Sequence, residues 1–324
     1  MECVSNLGKG TEGKAVRAAV IGCGGFGKHH VRVLSELGAL VAVCDIVEEK
    51  ARTYSKKYHA ECFTSVESLV NVKLDAAVVA TPTVTHAPIA LKLIEQGVKY
   101  ILLEKPFTTT LSEARELAER ARKEGVELMV GFTERFNQAV VATKELVDKN
   151  EIGTPILYFT SRVGRWPEQI FDVGVVKDTA IHDIDILSYT SEERPSKVYA
   201  ATGRLVHHKH EDYANIVLNY ASGKVAVIET NWLTPRKTRR LNVTGTEGVI
   251  EADLMQQSIT VIKQSETKMP NMGFKEPLML ELQHFIGCVE SGSSPKPSEE
   301  DAMSALEIAE AALMSSSTGV PIKL

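Results

Sequence analysis

AVRAAVIGCGGFGKHHVRVLSELG, residues 15–38, runs from an apolar strand through a cluster of glycines into a helical pattern. Gly22-Cys23-Gly24-Gly25-Phe26-Gly27 satisfies G-x-G-x-x-G, and its context is more specific than the motif itself. Ala18 to Ile21 read as a strand, Lys28 to Leu37 as a helix, and Asp45 ends the next apolar strand, ALVAVCDI. Loop positions without side chains let backbone approach a pyrophosphate, and the helix N-terminus offers free N–H groups and the positive end of its dipole. Gly22, Gly24, Gly25, Phe26 and Gly27 are therefore candidate cofactor-binding residues. Asp45 would accept hydrogen bonds from both hydroxyls of an adenosine ribose and repel a 2′-phosphate, so NAD(H) is expected rather than NADP(H). A glycine turn needed only for strand–helix packing is the competing reading, and this context disfavours it.

Downstream the pattern repeats. DAAVVAT, KYILLEKP and ELMVGF read as strands, HAPIALKLIEQG and TLSEARELAERARKEG as helices, the latter with a T-x-x-E capping box at Thr110 and Glu113 and a stop at Gly125. Apolar strands alternating with helices predict a parallel sheet covered on both faces. After about residue 135 the segments lengthen and alternate polar with apolar, as in DYANIVLNYA and GKVAVIETNWLT, with a hairpin turn at Ser222-Gly223. The expected organisation is an α/β dinucleotide-binding Rossmann domain over residues 16–134, after a loose tail at 1–15. An α+β domain with an open, predominantly antiparallel sheet follows over 135–324, with helices near 137–149, 178–190, 277–291 and 299–316.

Bulk properties narrow the function. A chain of 324 residues exceeds one ordinary core. Its net charge of -5 argues against a nucleic-acid footprint. No apolar run reaches membrane-span length and the polar N-terminus carries no signal-peptide core, so a cytoplasmic protein is expected. The five cysteines form no C-x-x-C, and Cys23 and Cys44 read as core residues, not a disulfide or metal framework.

Three further stretches carry chemistry. Thr81-Pro82 ends one strand and His86 starts the next helix; Glu104, Lys105 and Pro106 end another strand. Strand C-termini form the ligand crevice of a doubly wound sheet, so a lysine there reaches something polar above it, and a cis Pro106 would fix that reach. VVKDTAIHDIDIL, residues 175–187, sets Asp178, His182, Asp183 and Asp185 among core-like residues. Helical spacing would put Asp178 beside His182. A metal site from Asp178, His182 and Asp185 is disfavoured because no second His or Cys lies at ligand spacing. The HHKH cluster at His207, His208 and His210 reads as a solvated loop.

The glycine loop, ATPTVTH, EKP and the H-D-I-D helix, in this order, resemble the glucose–fructose oxidoreductase, inositol dehydrogenase and rhizopine-catabolism (Gfo/Idh/MocA) family from about residue 16 onward. The resemblance implies NAD-dependent hydride transfer on CH–OH groups. It places Lys105, Asp178 and His182 beside the nicotinamide, with Asp178 orienting His182. It also implies a homodimer or homotetramer formed through the C-terminal sheet. Thr81, Pro82, His86 and Glu104 join the cofactor-binding candidates. RFNQ resembles the family's R-F-N-P turn with Gln138 in place of proline, which makes Arg135 and Asn137 substrate candidates, as is Asp185. Arg162, Arg165 and Trp166 suit phosphate recognition and stacking, and their segment looks like that of sugar-nucleotide dehydrogenases such as those oxidising UDP-N-acetylglucosamine at C3. The alternatives are an inositol or free-sugar dehydrogenase, a non-catalytic dinucleotide-sensing regulator, and, for the two arginines, surface pairing with Glu168 or Asp172.

Overall fold

The computed structural model describes residues 15–166 and 173–324; the expected tail, Glu168 and Asp172 lie outside the described residues. The first half forms β1 (Ala18–Ile21), α1 (Gly27–Glu36), β2 (Leu40–Cys44), α2 (Glu48–Tyr58), β3 (Glu61–Phe63), β4 (Ala76–Val79), α3 (His86–Glu95), β5 (Tyr100–Glu104), α4 (Leu111–Glu124) and β6 (Glu127–Gly131). The described strands lie parallel in the order β3-β2-β1-β4-β5-β6, which reverses direction between β1 and β4. Ligands of such sheets bind outside the strand C-termini at that reversal. Helix formation here follows from local chemistry. In α4, Ala114, Leu117, Ala118 and Ala121 bury one face at helical spacing, Thr110 accepts the Glu113 N–H, and Gly125 ends the helix in the left-handed region. The capping box is half made, because the Glu113 side chain takes the Thr109 N–H, one residue before the cap.

The second half forms α5 (Gln138–Asp148), β7 (Pro155–Val163), α6 (Ile181–Ser191), β8 (Pro195–Gly203), β9 (Tyr213–Tyr220), β10 (Val225–Asn231), β11 (Thr238–Gly245), β12 (Gly248–Asp253), β13 (Ser258–Lys263), β14 (Thr267–Lys268), α7 (Pro277–Ser291), α8 (Glu299–Thr318) and β15 (Ile322–Lys323). The strands make one mixed sheet, β14-β13-β12-β11-β7-β10-β9-β8-β15. Its described pairings are antiparallel apart from β7 against β10. The β9–β10 hairpin turns at Gly223, whose φ of +88° suits glycine.

Each strand of this sheet buries alternate residues against helices. Tyr158 and Thr160 of β7, Ile216 and Leu218 of β9 and Leu241 and Val243 of β11 point inward. Among the described residues the opposite face has no helix layer, and Leu157, Tyr199 and Tyr213 are exposed on it. One apolar core runs from the α3 and α4 side of the first sheet, through Ile101 and Leu103, to Tyr158, Ile184 and Leu241 of the second half. The other side of the first sheet is sealed by α1 and by α7, through Leu282 and Phe285. By packing, α7 therefore belongs to the first sheet although it follows residue 135. Among the described residues, no helix is long and apolar enough to cross a membrane.

Candidate active site

The glycine loop fits a diphosphate. Gly22 has φ +90°, and a Cβ there would stand 2.5 Å from the Ala80 carbonyl oxygen; a Cβ on Gly27 would stand 1.9 Å from that of Gly22. These two glycines let the loop and the start of α1 close onto β1 and β4. Gly25 and Phe26 are exposed and Gly24 is half-buried, so the outer part of the loop stays open to a ligand. Asp45 stands at its edge, where Oδ2 accepts the Cys23 N–H and Oδ1 the Val47 N–H, both at 2.8 Å. Each oxygen keeps a lone pair for a ribose hydroxyl. Burial pushes the Cys23 and Cys44 thiols up to about 12, so both are inert packing groups.

Of the other cofactor candidates, Thr81 and Pro82 lie on the crevice side of β4, half-buried and exposed. His86 does not face a ligand. It is 1% exposed, with Nε2 2.9 Å from the Thr81 carbonyl oxygen and Nδ1 3.0 Å from that of Pro106. It clamps the β4 end to the β5 loop. Glu104 is likewise buried: His30 Nε2 lies 2.6 Å from one oxygen, and the Lys105 N–H donates to the other. Both side chains make bonds within the protein that hold the strand ends in place. Burial, reinforced by the Glu104 carboxylate, raises Glu281 on α7 well above the usual carboxylate range.

Lys105 and Asp178 meet across the two halves. The Lys105–Pro106 peptide is cis, as expected. Lys105 Nζ donates to Asp178 Oδ1 at 2.6 Å and to its carbonyl oxygen at 3.0 Å. Asp178 Oδ2 accepts from the Thr179 hydroxyl, which in turn accepts from Trp232 Nε1. The expected hydrogen bond from Asp178 to His182 is absent. Residues 176–180 form a π-helical turn before α6. A π turn bonds i to i+5, which moves i and i+4 out of line and leaves Asp178 facing Lys105. His182 packs edge-on to Phe132 at 6.4 Å, with Nδ1 enclosed and unpartnered. Burial, and then the charges of Lys105, Arg162 and Arg239, lower its pKa well below the ordinary imidazole value, so it is neutral.

The substrate candidates divide. Arg162 is 4% exposed; its Nε donates to Asp183 at 2.8 Å and its Nη1 to Glu134 at 2.9 Å. Arg239 donates to the same Glu134 oxygen at 2.7 Å. Burial works to raise Glu134, but the two guanidinium groups outweigh it and hold the carboxylate below its usual range. Arg135 makes a bidentate pair with Asp185, at 2.8 and 2.6 Å, and reaches Asp301 at 3.1 Å. Asn137 caps α5 and donates to Glu134 and the Leu254 carbonyl. Arg135 with Asp185, and Asn137 and Arg162 with Glu134, are thus bonded within the protein. Arg165 is exposed and donates to the Pro235 carbonyl. Trp166 packs at right angles to Trp232, 5.4 Å away, and against His207 at 5.5 Å. The histidine loop is thus tied to the site through His207. Asp178 and Asp185 point to Lys105 and Arg135 and do not converge on a metal position.

Glu134, Trp232, Lys237 and Arg239 were missed. The signal for three of them is NWLTPRKTRR, residues 231–240, where an aromatic and spaced basic residues follow a strand end, as they do in SRVGRW.

Comparison with known proteins identifies the family. Residues 16–132 match the oxidoreductase family with an NAD-binding Rossmann fold, and residues 140–251 match the GFO/IDH/MocA C-terminal domain. A Bacillus subtilis scyllo-inositol 2-dehydrogenase (NAD(+)) is 33% identical over 95% of this chain and 96% of its own length. The solved UDP-N-acetylglucosamine 3-dehydrogenase of Acidithiobacillus ferrooxidans superposes with a TM-score of 0.86 at 22% identity, covering 93% of this chain and 98% of that one. A levoglucosan dehydrogenase solved with NADH and levoglucosan gives 0.87 at 20%, covering 96% and 99%. These relatives are dehydrogenases, which sets the non-catalytic reading aside. The chain belongs to the GFO/IDH/MocA family of NAD-dependent oxidoreductases acting on CH–OH groups.

Proposed function

We propose that the protein oxidises a secondary alcohol on a polyhydroxylated ring, a sugar or a cyclitol, or reduces the matching ketone. The observation that carries this is the Lys105–Asp178 pair at 2.6 Å, beside a neutral His182 at the strand ends expected to hold the cofactor. The bound nicotinamide supplies the acceptor for the hydride leaving the carbinol carbon. His182 takes the hydroxyl proton; its enclosed Nδ1 leaves Nε2 for that task. Lys105 donates a hydrogen bond to the reacting oxygen and stabilises its developing negative charge, while Asp178 holds the ammonium in place. Trp166, half-buried, offers an apolar face to a ring, and the buried Trp232 backs it.

The sugar-nucleotide form of this reading loses the support of Arg162, whose bonds are internal, and keeps that of Trp166. The inositol form gains from the similarity to the Bacillus subtilis enzyme. Assay of scyllo-inositol, myo-inositol, free sugars and UDP-N-acetylglucosamine with NAD+ tests the proposal by NADH absorbance. Reduction of NAD+ by at least one ring polyol is expected; none across the panel would refute it. The uncovered sheet face, with Leu157, Tyr199 and Tyr213 exposed, is the surface proposed for pairing of copies.

A further inference from the structure

Three enclosed ionisable side chains take no part in the proposed chemistry: His30 of α1, Glu104 of β5 and Glu281 of α7. His30 Nε2 stands 2.6 Å from Glu104 Oε1, and Glu104 Oε2 accepts the Lys105 N–H at 3.2 Å. β6 makes room for this carboxyl group. Gly131 pairs with Glu104 across the sheet, and a Cβ there would stand 2.9 Å from the Glu104 carboxyl carbon. Glu281 is bonded elsewhere, its Oε2 accepting from the Thr133 hydroxyl at 3.0 Å. Among the described residues His30 is therefore the side chain that ties Glu104 down, and no His, Cys, Asp or Glu cluster there could hold a metal ion.

Burying His30 and Glu104 costs free energy that an apolar side chain at position 104 would avoid. An apolar side chain could not join Lys105 to α1. That helix begins at Gly27, and its N-terminus is the part expected to hold the cofactor's diphosphate. His30 lies in its first turn, with the Phe26 ring of the glycine loop edge-on at 5.3 Å. We propose that His30 and Glu104 are positioning residues for Lys105: they fix its backbone to the cofactor-binding helix while Asp178 fixes its ammonium. The lysine is held at both ends, so its placement follows that of α1. Such placement matters because a shift of about 1 Å at a reacting centre can cost roughly a hundredfold in rate. The inference rests on the role given to Lys105 in the ring-alcohol dehydrogenase reading.

The test is a double-mutant cycle on kcat with the best ring alcohol, joined to two readouts that need no turnover: NADH fluorescence titration, and hydrogen exchange of the peptide carrying Lys105. His30→Asn is too short to reach Glu104, whereas His30→Gln sets a nitrogen near the place of Nε2. His30→Asn is expected to lower kcat by about tenfold or more, with KM for NAD+ changed by less than about threefold. It should also speed exchange at the Lys105 peptide, and His30→Gln should recover most of both losses. In a Lys105→Ala background, His30→Asn should lower kcat by no more than about a further twofold, because a residue acting through Lys105 has nothing left to position. Glu104→Ala removes the acceptor of the Lys105 N–H without stranding a carboxylate; it carries the same cycle and the same expectations if His30→Asn does not fold. A loss of equal size with and without Lys105, or wild-type kcat and exchange in the folded variant, would overturn the proposal. No reduction of NAD+ by wild-type enzyme with any ring alcohol would instead remove the dehydrogenase reading, and this inference with it.

Discussion

His182 and Arg162 show how single side chains divide between chemistry and support. His182 is depressed by burial and by three neighbouring cations, so it stays neutral below the ordinary imidazole value of 6.5. A protonated imidazole cannot accept the substrate proton. The acid limb of kcat/KM for alcohol oxidation is therefore expected below pH 6.5; a limb at or above that value would contradict the assignment. The same shift has a stability sign. The unfolded chain takes up this proton at the ordinary value and the folded chain does not, so the contribution is full above 6.5 and is lost as pH falls below it. Arg162 should behave differently. Arg162→Ala strands Asp183 in the interior and leaves Glu134 to Arg239 and Asn137, and unfolding in denaturant should show a loss of about 3–5 kcal/mol. A substrate contact would instead leave stability intact and raise KM.

Among the elements, the glycine loop was legible in sequence because its constraint is local. Gly27 must be glycine for α1 to start against Gly22, and no distant residue is needed to see it. Gly27→Ala puts a methyl group into backbone and should cost stability at the upper end of the about 1–3 kcal/mol typical of overpacking, with loss of NADH binding. A variant with wild-type melting and NADH affinity would show that the loop relaxes. Asp45 follows β2 beside the glycine loop, where it is proposed to hold the cofactor's ribose. Asp45→Ala should narrow or invert the preference for NAD+ over NADP+, measured as the ratio of kcat/KM values. Wild-type enzyme that favours NADP+ would refute that role. The catalytic helix was legible only in part. Helical spacing aligned Asp178 with His182, but the π turn at 176–180 gives Asp178 to Lys105. The Arg162 partners lie 21 and 28 residues away, and Glu134 meets Arg239 across 105. Pairings at such separations come from how β7 and β11 register, which spacing does not encode.

At the scale of the whole molecule, the two sheets share one core, and the proposed reaction centre lies where Lys105 of the first half meets Asp178 of the second. Alternation in β7, β9 and β11 made the open sheet readable. The return of α7 to cover the first sheet was not, because its apolar residues name no particular partner. The helix-free face exposes Leu157, Tyr199 and Tyr213. Sedimentation is expected to show a dimer or larger assembly that Leu157→Asp weakens; a wild-type monomer at micromolar concentration would contradict this. The proposed proton and charge transfer falls to His182 and Lys105, and kcat for NAD+ reduction by the best ring alcohol tests them. His182→Ala and Lys105→Ala should each lower kcat by about a hundredfold or more while NADH still binds. Wild-type turnover in His182→Ala would contradict its role as proton acceptor.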